Sequence, residues 1–292
     1  MLDCEIIEAG SPGYDEARAL YNAMLDKRPR WIAKCRHADD VAAAVKFARH
    51  NNILLAVCGG RHNGAGLGSC DGGLVADLSL MNKIEVDAEA RTVRVGPGCT
   101  QGDVDAAASR HGLAVPAGIV STTGVAGLTL GGGHGYLSRQ YGLTIDNLIE
   151  AEVILANGVR VKASAEENPD LLWALKGGGG NFGIVISFLF RAHPVTDVYG
   201  GPIFYDIAHA KEIMRWYRDF LPTAPRKLCT FLGLKTAPST DPFPREIWGK
   251  RICALISCYD GPEAEGVAAM APAREALPAP LMDGMGQMPF KD

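Results

Sequence analysis

The chain has no run of lysine and arginine, no alternation of basic and aromatic residues, and a formal net charge of −4 over 292 residues. It offers no positive field to a phosphate backbone, so nucleic acid is not an expected partner. No eighteen apolar residues follow one another without interruption, so no membrane span is expected. The start, Met1-Leu2-Asp3-Cys4-Glu5, has neither a basic n-region nor an apolar h-region, from which a cytoplasmic protein is expected. None of the eight cysteines (4, 35, 58, 70, 99, 229, 253, 258) forms a C-x-x-C pair. That excludes a zinc knuckle or thioredoxin-type motif, no metal is expected, and most of the cysteines are expected to be buried, reduced thiols. H-E-x-x-H, G-x-S-x-G and a Walker-type G-K-[ST] are also missing, which removes the commonest zinc protease, α/β-hydrolase and P-loop readings.

Glycine, in contrast, is plentiful at 35 residues, and 47% hydrophobic against 21% charged residues marks a globular protein able to build a core. The glycines gather in three clusters, which suggests close approach of backbone to a ligand. The first follows the apolar run Ile53-Leu54-Leu55-Ala56-Val57 and reads Cys58-Gly59-Gly60-Arg61-His62-Asn63-Gly64, a loop whose N–H groups can turn toward a phosphate, with one imidazole at its tip. A single histidine in such a loop is by itself as compatible with an ordinary hydrogen-bonded residue as with a cofactor contact.

The second cluster is Val120-Ser121-Thr122-Thr123-Gly124-Val125-Ala126-Gly127-Leu128-Thr129-Leu130-Gly131-Gly132-Gly133-His134-Gly135. Its Ser/Thr run resembles a capped helix start with free donors, suited to a pyrophosphate. The third, Gly177-Gly178-Gly179-Gly180-Asn181-Phe182-Gly183, contains a formal G-x-G-x-x-G. A helix precedes it and a strand follows, the reverse of the dinucleotide-binding order, so a Rossmann reading is rejected.

Along the chain, a helix is expected over Tyr14 to Asn22, an extended piece at Trp31-Ile32-Ala33, and a helix Asp40 to His50 with Asp39 as its N-cap. Strands Ile53 to Val57 and Leu74 to Leu78 complete a β-α-β arrangement. A hairpin follows at Lys83–Asp87 and Arg91–Val95, then a helix Gln101 to His111 stopped by Gly112. Asn157-Gly158 joins Ile149–Ala156 to Val159–Ala163 as a two-residue turn needing positive φ at both positions. Helix Pro169 to Lys176, capped by Asn168, and a strand Gly183 to Phe190 come next. From about residue 197 the pattern becomes strand Ile203–Ile207, helix Ala208–Phe220, strands near Leu228–Leu234 and Ile252–Cys258, helix Pro262–Glu275, and a loose tail Leu281 to Asp292. Trp216, Tyr217 and Trp248 read as core or as sugar platforms.

Gly59-Gly60-Arg61-His62-Asn63, Asp71 to Ser79, Gly124 to Gly133, Asp146-Asn147-Leu148, Glu167 to Leu175 and Gly177 to Gly183 keep one order and spacing from about Arg28 to Pro194. In this the chain resembles the FAD-linked oxidases of the berberine bridge enzyme type. The resemblance implies an α+β fold: a PCMH-type FAD-binding domain of two α+β subdomains over residues 27–196, after an N-terminal helical segment 1–26. A partial antiparallel-sheet substrate domain would follow over 197–292. It further implies that His62 attaches to the flavin 8α-methyl, with Arg61 supporting developing negative charge or binding phosphate. The implied FAD contacts are Gly59, Gly60, Arg61, His62, Asn63 and Gly64 in the first loop, and Ser121, Thr122, Thr123, Gly124, Gly127, Leu128, Gly131 and Gly132 in the second. Asp146, Asn147, Gly179, Gly180, Asn181, Gly183 and Ile184 complete the set.

Two departures matter. Val120 stands where many relatives carry a second, cysteinyl flavin link, so attachment is expected to be monocovalent through His62. The relatives extend beyond 292 residues to a Tyr-x-Asn-Tyr-like segment that often supplies the catalytic base; this chain has no counterpart, which leaves His134 and Tyr136 as candidates. The expected function is therefore hydride removal from an alcohol, sugar or similar small-molecule C–H donor, with O₂ or another acceptor reoxidising FAD. A truncated flavin-binding remnant without turnover, or a noncovalent PCMH-type hydroxy-acid dehydrogenase, are the alternatives.

Overall fold

The computed structural model describes residues 3–241 and 243–291, so Met1, Leu2, Pro242 and the last residue of the tail, Asp292, lie outside the described residues. Two compact units emerge. The first runs to Gly135 and resumes over Leu143–His193; the second takes Tyr136–Gly142 and the chain from Pro194 onward.

In the first unit, β1 (Glu5–Glu8), β2 (Trp31–Lys34), β3 (Leu55–Cys58) and β4 (Leu74–Asp77) form a sheet in the order β1-β2-β4-β3. β4 lies between β2 and β3 and is parallel to both. Covered on each side, all four of its residues are buried, the carboxylate-bearing Asp77 included. Residues 1–26, expected to be helical, contribute β1 as well as helix α1 (Tyr14–Arg18). α1 stops four residues short of the expected Asn22: Ala19 turns extended at ψ 138°, and the Tyr21 amide donates to the Arg61 carbonyl at 3.2 Å. A tertiary contact has overridden local helix preference there.

Helix α2 (Ala38–His50) links β2 to β3 and buries Val41, Ala44, Val45 and Ala48, the i, i+3, i+4, i+7 face of an amphipathic helix. Its N-cap is His37, not Asp39. The Asp40 carboxylate reaches back to accept from the amides of Arg36 (2.8 Å) and His37 (3.3 Å), so the acidic residue one position later satisfies the donors at the helix start.

The second sheet of this unit joins β5 (Ile84–Asp87), β6 (Thr92–Val95), β8 (Leu148–Ile154), β9 (Arg160–Ala163) and β10 (Ile184–Arg191) in the order β5-β6-β10-β8-β9. Neighbouring strands are antiparallel. Two-residue strands β7 (Leu113–Ala114) and β11 (His193–Pro194) lie outside it. Val93, Val95, Val153, Phe188 and Phe190 of the sheet pack with Val104 and Ala108 of α3 (Gln101–Ser109) and with Leu172 and Leu175 of α6 (Pro169–Leu175). Asn168 precedes α6 as its cap residue but in the left-handed conformation, with its side-chain amide donating to the Lys162 carbonyl (2.7 Å) rather than closing the helix.

At the β8–β9 turn only Gly158 has positive φ, +78°. The Gly158 amide donates to Leu155 O and the Leu155 amide to Val159 O, which makes this a turn followed by a glycine bulge instead of the two-residue form. The Asn157 side chain accepts from the Val159 amide, holding Asn157 in the ordinary region.

α3 ends two residues before His111, its last turn tightening into Gly112 at φ +66°. One carboxylate in it is poorly placed: a carboxyl oxygen of Asp105 is buried without a partner, and burial pushes this group up to about 7. With its folded value raised above the unfolded one, Asp105 favours the folded state only while protonated, and that contribution disappears as pH rises from about 4 to about 7. Asp105→Asn is accordingly expected to be more stable than the parent at pH 8, by about 2 kcal/mol, and no more stable at pH 4. Urea unfolding at the two pH values checks this; an equal difference at both would remove Asp105 as its source.

In the second unit, β12 (Asp197–Asp206), β13 (Leu228–Thr236) and β14 (Arg251–Asp260) form an antiparallel sheet with β14 in the middle. Alternate residues Tyr199, Ile203 and Tyr205 of β12 and Cys253, Leu255 and Tyr259 of β14 face helices α7 (Ala210–Phe220) and α8 (Glu263–Ala276). Trp216 stacks on Phe220, the Tyr217 hydroxyl donates to Thr230 O and the Trp248 indole to Phe243 O, so these aromatics serve packing. The tail is not loose: β15 (Met282–Asp283) and β16 (Gly286–Pro289) both pair with β12. Strands of two and four residues split by glycine carry no usable period, which is why the sequence hid them. Helix α5 (Ser138–Tyr141) also belongs to this unit; Arg139 donates to the carbonyls of Leu228, Leu221 and Ala224, and the Tyr141 hydroxyl to Asp260.

Candidate functional site

The first two glycine clusters meet backbone to backbone in the first unit. A Cβ built on Gly60 would fall under 3.0 Å from Gly124 N, and one on Gly124 would do the same to Gly60 N. Neither position has room for any side chain, because the atom in the way is backbone and cannot rotate aside. Gly60→Ala is expected to cost about 2–3 kcal/mol through this overlap, read as a lower urea midpoint; an unchanged midpoint would mean the loops are not in contact.

This contact brings His62 against the second loop. Its Nε2 lies 3.0 Å from Thr122 Oγ1 and its Nδ1 3.4 Å from Thr123 Oγ1, while the Tyr21 ring stacks on the imidazole at 4.1 Å and 18°. Both ring nitrogens thus face hydroxyls, which donate or accept according to tautomer. Among the described residues, the amides of Gly60, Arg61, His62 and Asn63 donate no hydrogen bond, leaving a row of donors along the loop. The Asn63 side chain instead closes the loop, accepting from the amides of Ala65 and Leu67, and the Gly64 carbonyl accepts from Asn22.

Arg61 has a structural partner that the sequence does not show. It is held at φ +61°, and its guanidinium turns inward, 2.6 Å from Asp77 Oδ2 and 3.2 Å from Cys58 Sγ. Asp77 is fully buried and also takes Lys34 Nζ at 2.7 Å; Lys34 in turn donates to Ser79 Oγ at 2.8 Å. Arg61 is therefore tied into the fold as a strut beneath the loop. Burial would raise the Asp77 carboxyl, but Lys34, the Ser79 amide and Arg61 together outweigh it and hold the carboxyl below its ordinary value. Sequence reasoning missed Asp77 and Tyr21. An aspartate closing the otherwise apolar strand Leu74-Val75-Ala76 is the signal that could have found the first; nothing local marks the second.

In the second cluster the helix α4 (Val125–Leu130) is six residues long and starts at Gly124, with no side-chain cap. Ser121, Thr122 and Thr123 therefore do not cap it; two of their hydroxyls are turned to His62. Gly127 and Gly131 are exposed on α4 and just after it, Gly132 follows at φ +111°, and Leu128 lines an apolar recess with Gln101, Val125 and Phe190. α4 packs against the 3₁₀ turn Thr144–Asn147 and the 3₁₀ turn Gly179–Phe182, so all three glycine clusters converge on one region of the first unit.

Within it, several expected contacts are occupied by the fold itself. The Asp146 carboxylate accepts from the Leu143 amide (2.8 Å); Asn147 is buried, donates to Leu143 O and meets His193 at 2.7 Å. Asn181 donates to Gly178 O, and Ile184 is buried in the core. Gly183 sits at φ +142° against the Ile154 carbonyl, while Gly179, at φ +66°, and Gly180 have open space around them. His134 is exposed. Tyr136 packs edge-on against Phe231 in the second unit, and burial, with Cys258 and Cys229, raises its hydroxyl, which keeps the phenol protonated at neutral pH and leaves little phenolate to accept a proton.

Glycines that exclude side chains, a row of free amides and a clamped imidazole suit a flat, anionic cofactor such as FAD. Among the described residues no cluster of metal-ligating side chains occurs and no helix is long and apolar enough to cross a membrane. Residues 29–164 match the family model described as an FAD binding domain. An FAD-linked oxidoreductase of Dictyostelium discoideum is 41% identical over 215 residues, covering 72% of this chain and 47% of that protein. The crystal structure of 6-hydroxy-D-nicotine oxidase from Arthrobacter nicotinovorans superposes with a TM-score of 0.88 at 27% identity, covering 100% of this chain and 63% of that one. Physcomitrella patens BBE-like 1 gives 0.87 at 26% identity, covering 99% and 60%. The chain spans about half the length of the curated relatives it matches. By sequence and by fold it belongs to the FAD-linked oxidoreductases of the berberine bridge enzyme-like, PCMH type.

Proposed function

We propose that this chain is an FAD-dependent oxidase component that takes a hydride from an alcohol, sugar or similar small-molecule C–H donor and passes the electrons to O₂ or another acceptor, with FAD tethered at His62 alone. The observation that carries this reading is the clamp on His62 between Tyr21, Thr122 and Thr123 at the meeting of two glycine loops. The relation to a hydroxynicotine oxidase supports an oxidase over other flavin chemistry.

FAD, when bound, supplies the hydride acceptance and the return of electrons to the acceptor. The chain's own residues hold and orient. Thr122 and Thr123 hold the plane of the imidazole, whose unprotonated ring nitrogen would carry the lone pair that attaches to the flavin 8α-methyl carbon. Tyr21 shields one face of the ring from water. The amides from Gly60 to Asn63 offer fixed donors to an electron-rich cofactor edge, and the Arg61–Asp77 strut keeps them in place. Val120 leaves His62 as the one attachment. Seven of the eight cysteines are buried, in keeping with reduced thiols, and we place the protein in the cytoplasm.

The reading is tested by anaerobic mixing of purified protein with a panel of alcohols, sugars and hydroxylated heteroaromatics. Bleaching of the flavin absorbance by one class is the expected result. A yellow protein bleached by dithionite but by none of these donors would leave a flavin-holding chain without turnover, and flavin released by acid would point to the noncovalent form.

A further inference from the structure

The first sheet pairs Glu5 with Lys34 and Ile6 with Ala33. Continued one step past the last paired residues, this register would set Cys4, in the bend before β1, opposite Cys35. Both cysteines join the cluster that holds Ile6 and Ala33, so their side chains are on one face. The Cys35 amide donates to the Asp77 carbonyl at 2.9 Å, on the β4 side. Toward β1 the pair is therefore of the non-hydrogen-bonded kind, whose Cα atoms approach to about 4.5 Å. A disulfide spans Cα separations of about 4.4–6.8 Å. The Cys35 thiol donates to the Ala33 carbonyl at 3.6 Å, and Cys4 packs against the same cluster, which keeps the two side chains in one region.

Cys229 and Cys258 are also opposed in register, on β13 and β14, but both are buried. Cys4 is the one cysteine of the eight that is not.

We propose that Cys4 and Cys35 are an oxidisable pair, which hydrogen peroxide converts to a cross-strand disulfide tying the edge strand β1 to β2. The Cys4 thiolate attacks the peroxide O–O bond to give a sulfenic acid, and the departing hydroxide takes up a proton to leave as water. Cys35 then attacks the Cys4 sulfur, forming the S–S bond and expelling the second water. Two thiols lose two electrons and two protons, and one peroxide becomes two waters. Burial and the Asp40 carboxylate hold the Cys4 thiol above its ordinary value, so the first step is slow at neutral pH. Once closed, the link anchors the strand next to Lys34, which supports Asp77 beneath the His62 loop.

The test treats the reduced, folded chain with added peroxide and, separately, with diamide, so it does not depend on turnover. Expected are an intact mass lower by about 2 Da, two fewer thiols titrating in denaturant, and a non-reduced peptide map joining the Cys4 and Cys35 segments, all reversed by dithiothreitol. Cys4→Ser should abolish the link, and Cys258→Ser should keep it. The proposal is overturned if Cys4 takes up oxygen while Cys35 stays a free thiol, if Cys4 joins another cysteine, or if neither reagent forms a bond.

Discussion

His62→Ala is expected to remove all acid-stable flavin from the protein while leaving the fold intact. Alanine has no nucleophilic atom, and under the proposed single attachment no second residue takes over the bond. The fold should tolerate the change because His62 is only half-buried and belongs to none of the core clusters. What is lost is one aromatic stack on Tyr21 and two side-chain contacts, worth about 1 kcal/mol together. The amides of the loop and the backbone contact between Gly60 and Gly124 remain, so the variant should still bind FAD reversibly. Acid precipitation separates the cases: a yellow, fluorescent pellet for the parent, and a colourless pellet with yellow supernatant for the variant. Colour in the supernatant of the parent, or in the pellet of the variant, would each disprove the tether at His62.

Much of this site could be read from the sequence because its requirements are local. A parallel strand entering a glycine loop shows as an apolar run followed by Gly59-Gly60, and the hairpin of β5 and β6 shows as strict alternation. What was illegible depends on residues distant in the chain. Tyr21 reaches His62 across 41 positions because Ala19 breaks the helix early. Asp77 acquires its role only when β4 slides between β2 and β3 and meets Lys34 from one side and Arg61 from the other. The inward turn of Arg61 is illegible for the same reason: a guanidinium in a glycine loop reads as an anion site until its buried partner is seen. The segment Tyr136–Gly142 follows directly on the second glycine cluster yet packs with the second unit, through Arg139 and Tyr141 binding groups some 80–120 residues later.

Asp77→Asn is expected to lower stability by about 3 kcal/mol, at the low end for a broken buried ion pair because Lys34 and Arg61 keep partial access to water. An amide has the size of the carboxylate but no charge, so two cations lose their shared counter-ion while the packing of β4 is retained. The folded-state value of Asp77 is depressed, so its contribution is present above the ordinary aspartate range and lost as pH falls through the lower folded value. The gap between parent and variant should therefore be widest near pH 7, begin to narrow near about pH 4 and close only below the depressed folded value. Urea unfolding across that range measures it, and a gap independent of pH would exclude the carboxylate charge as its origin. The companion variant Arg61→Gly separates strut from strain. Glycine accepts φ +61° without cost, so if Arg61 only burdened the backbone, the variant would gain stability and attach flavin as well as the parent. If the guanidinium positions the loop by pulling against Asp77, the variant loses stability and fills with covalent flavin more slowly, and pairing it with Asp77→Asn adds little further loss, since both changes cut the same link.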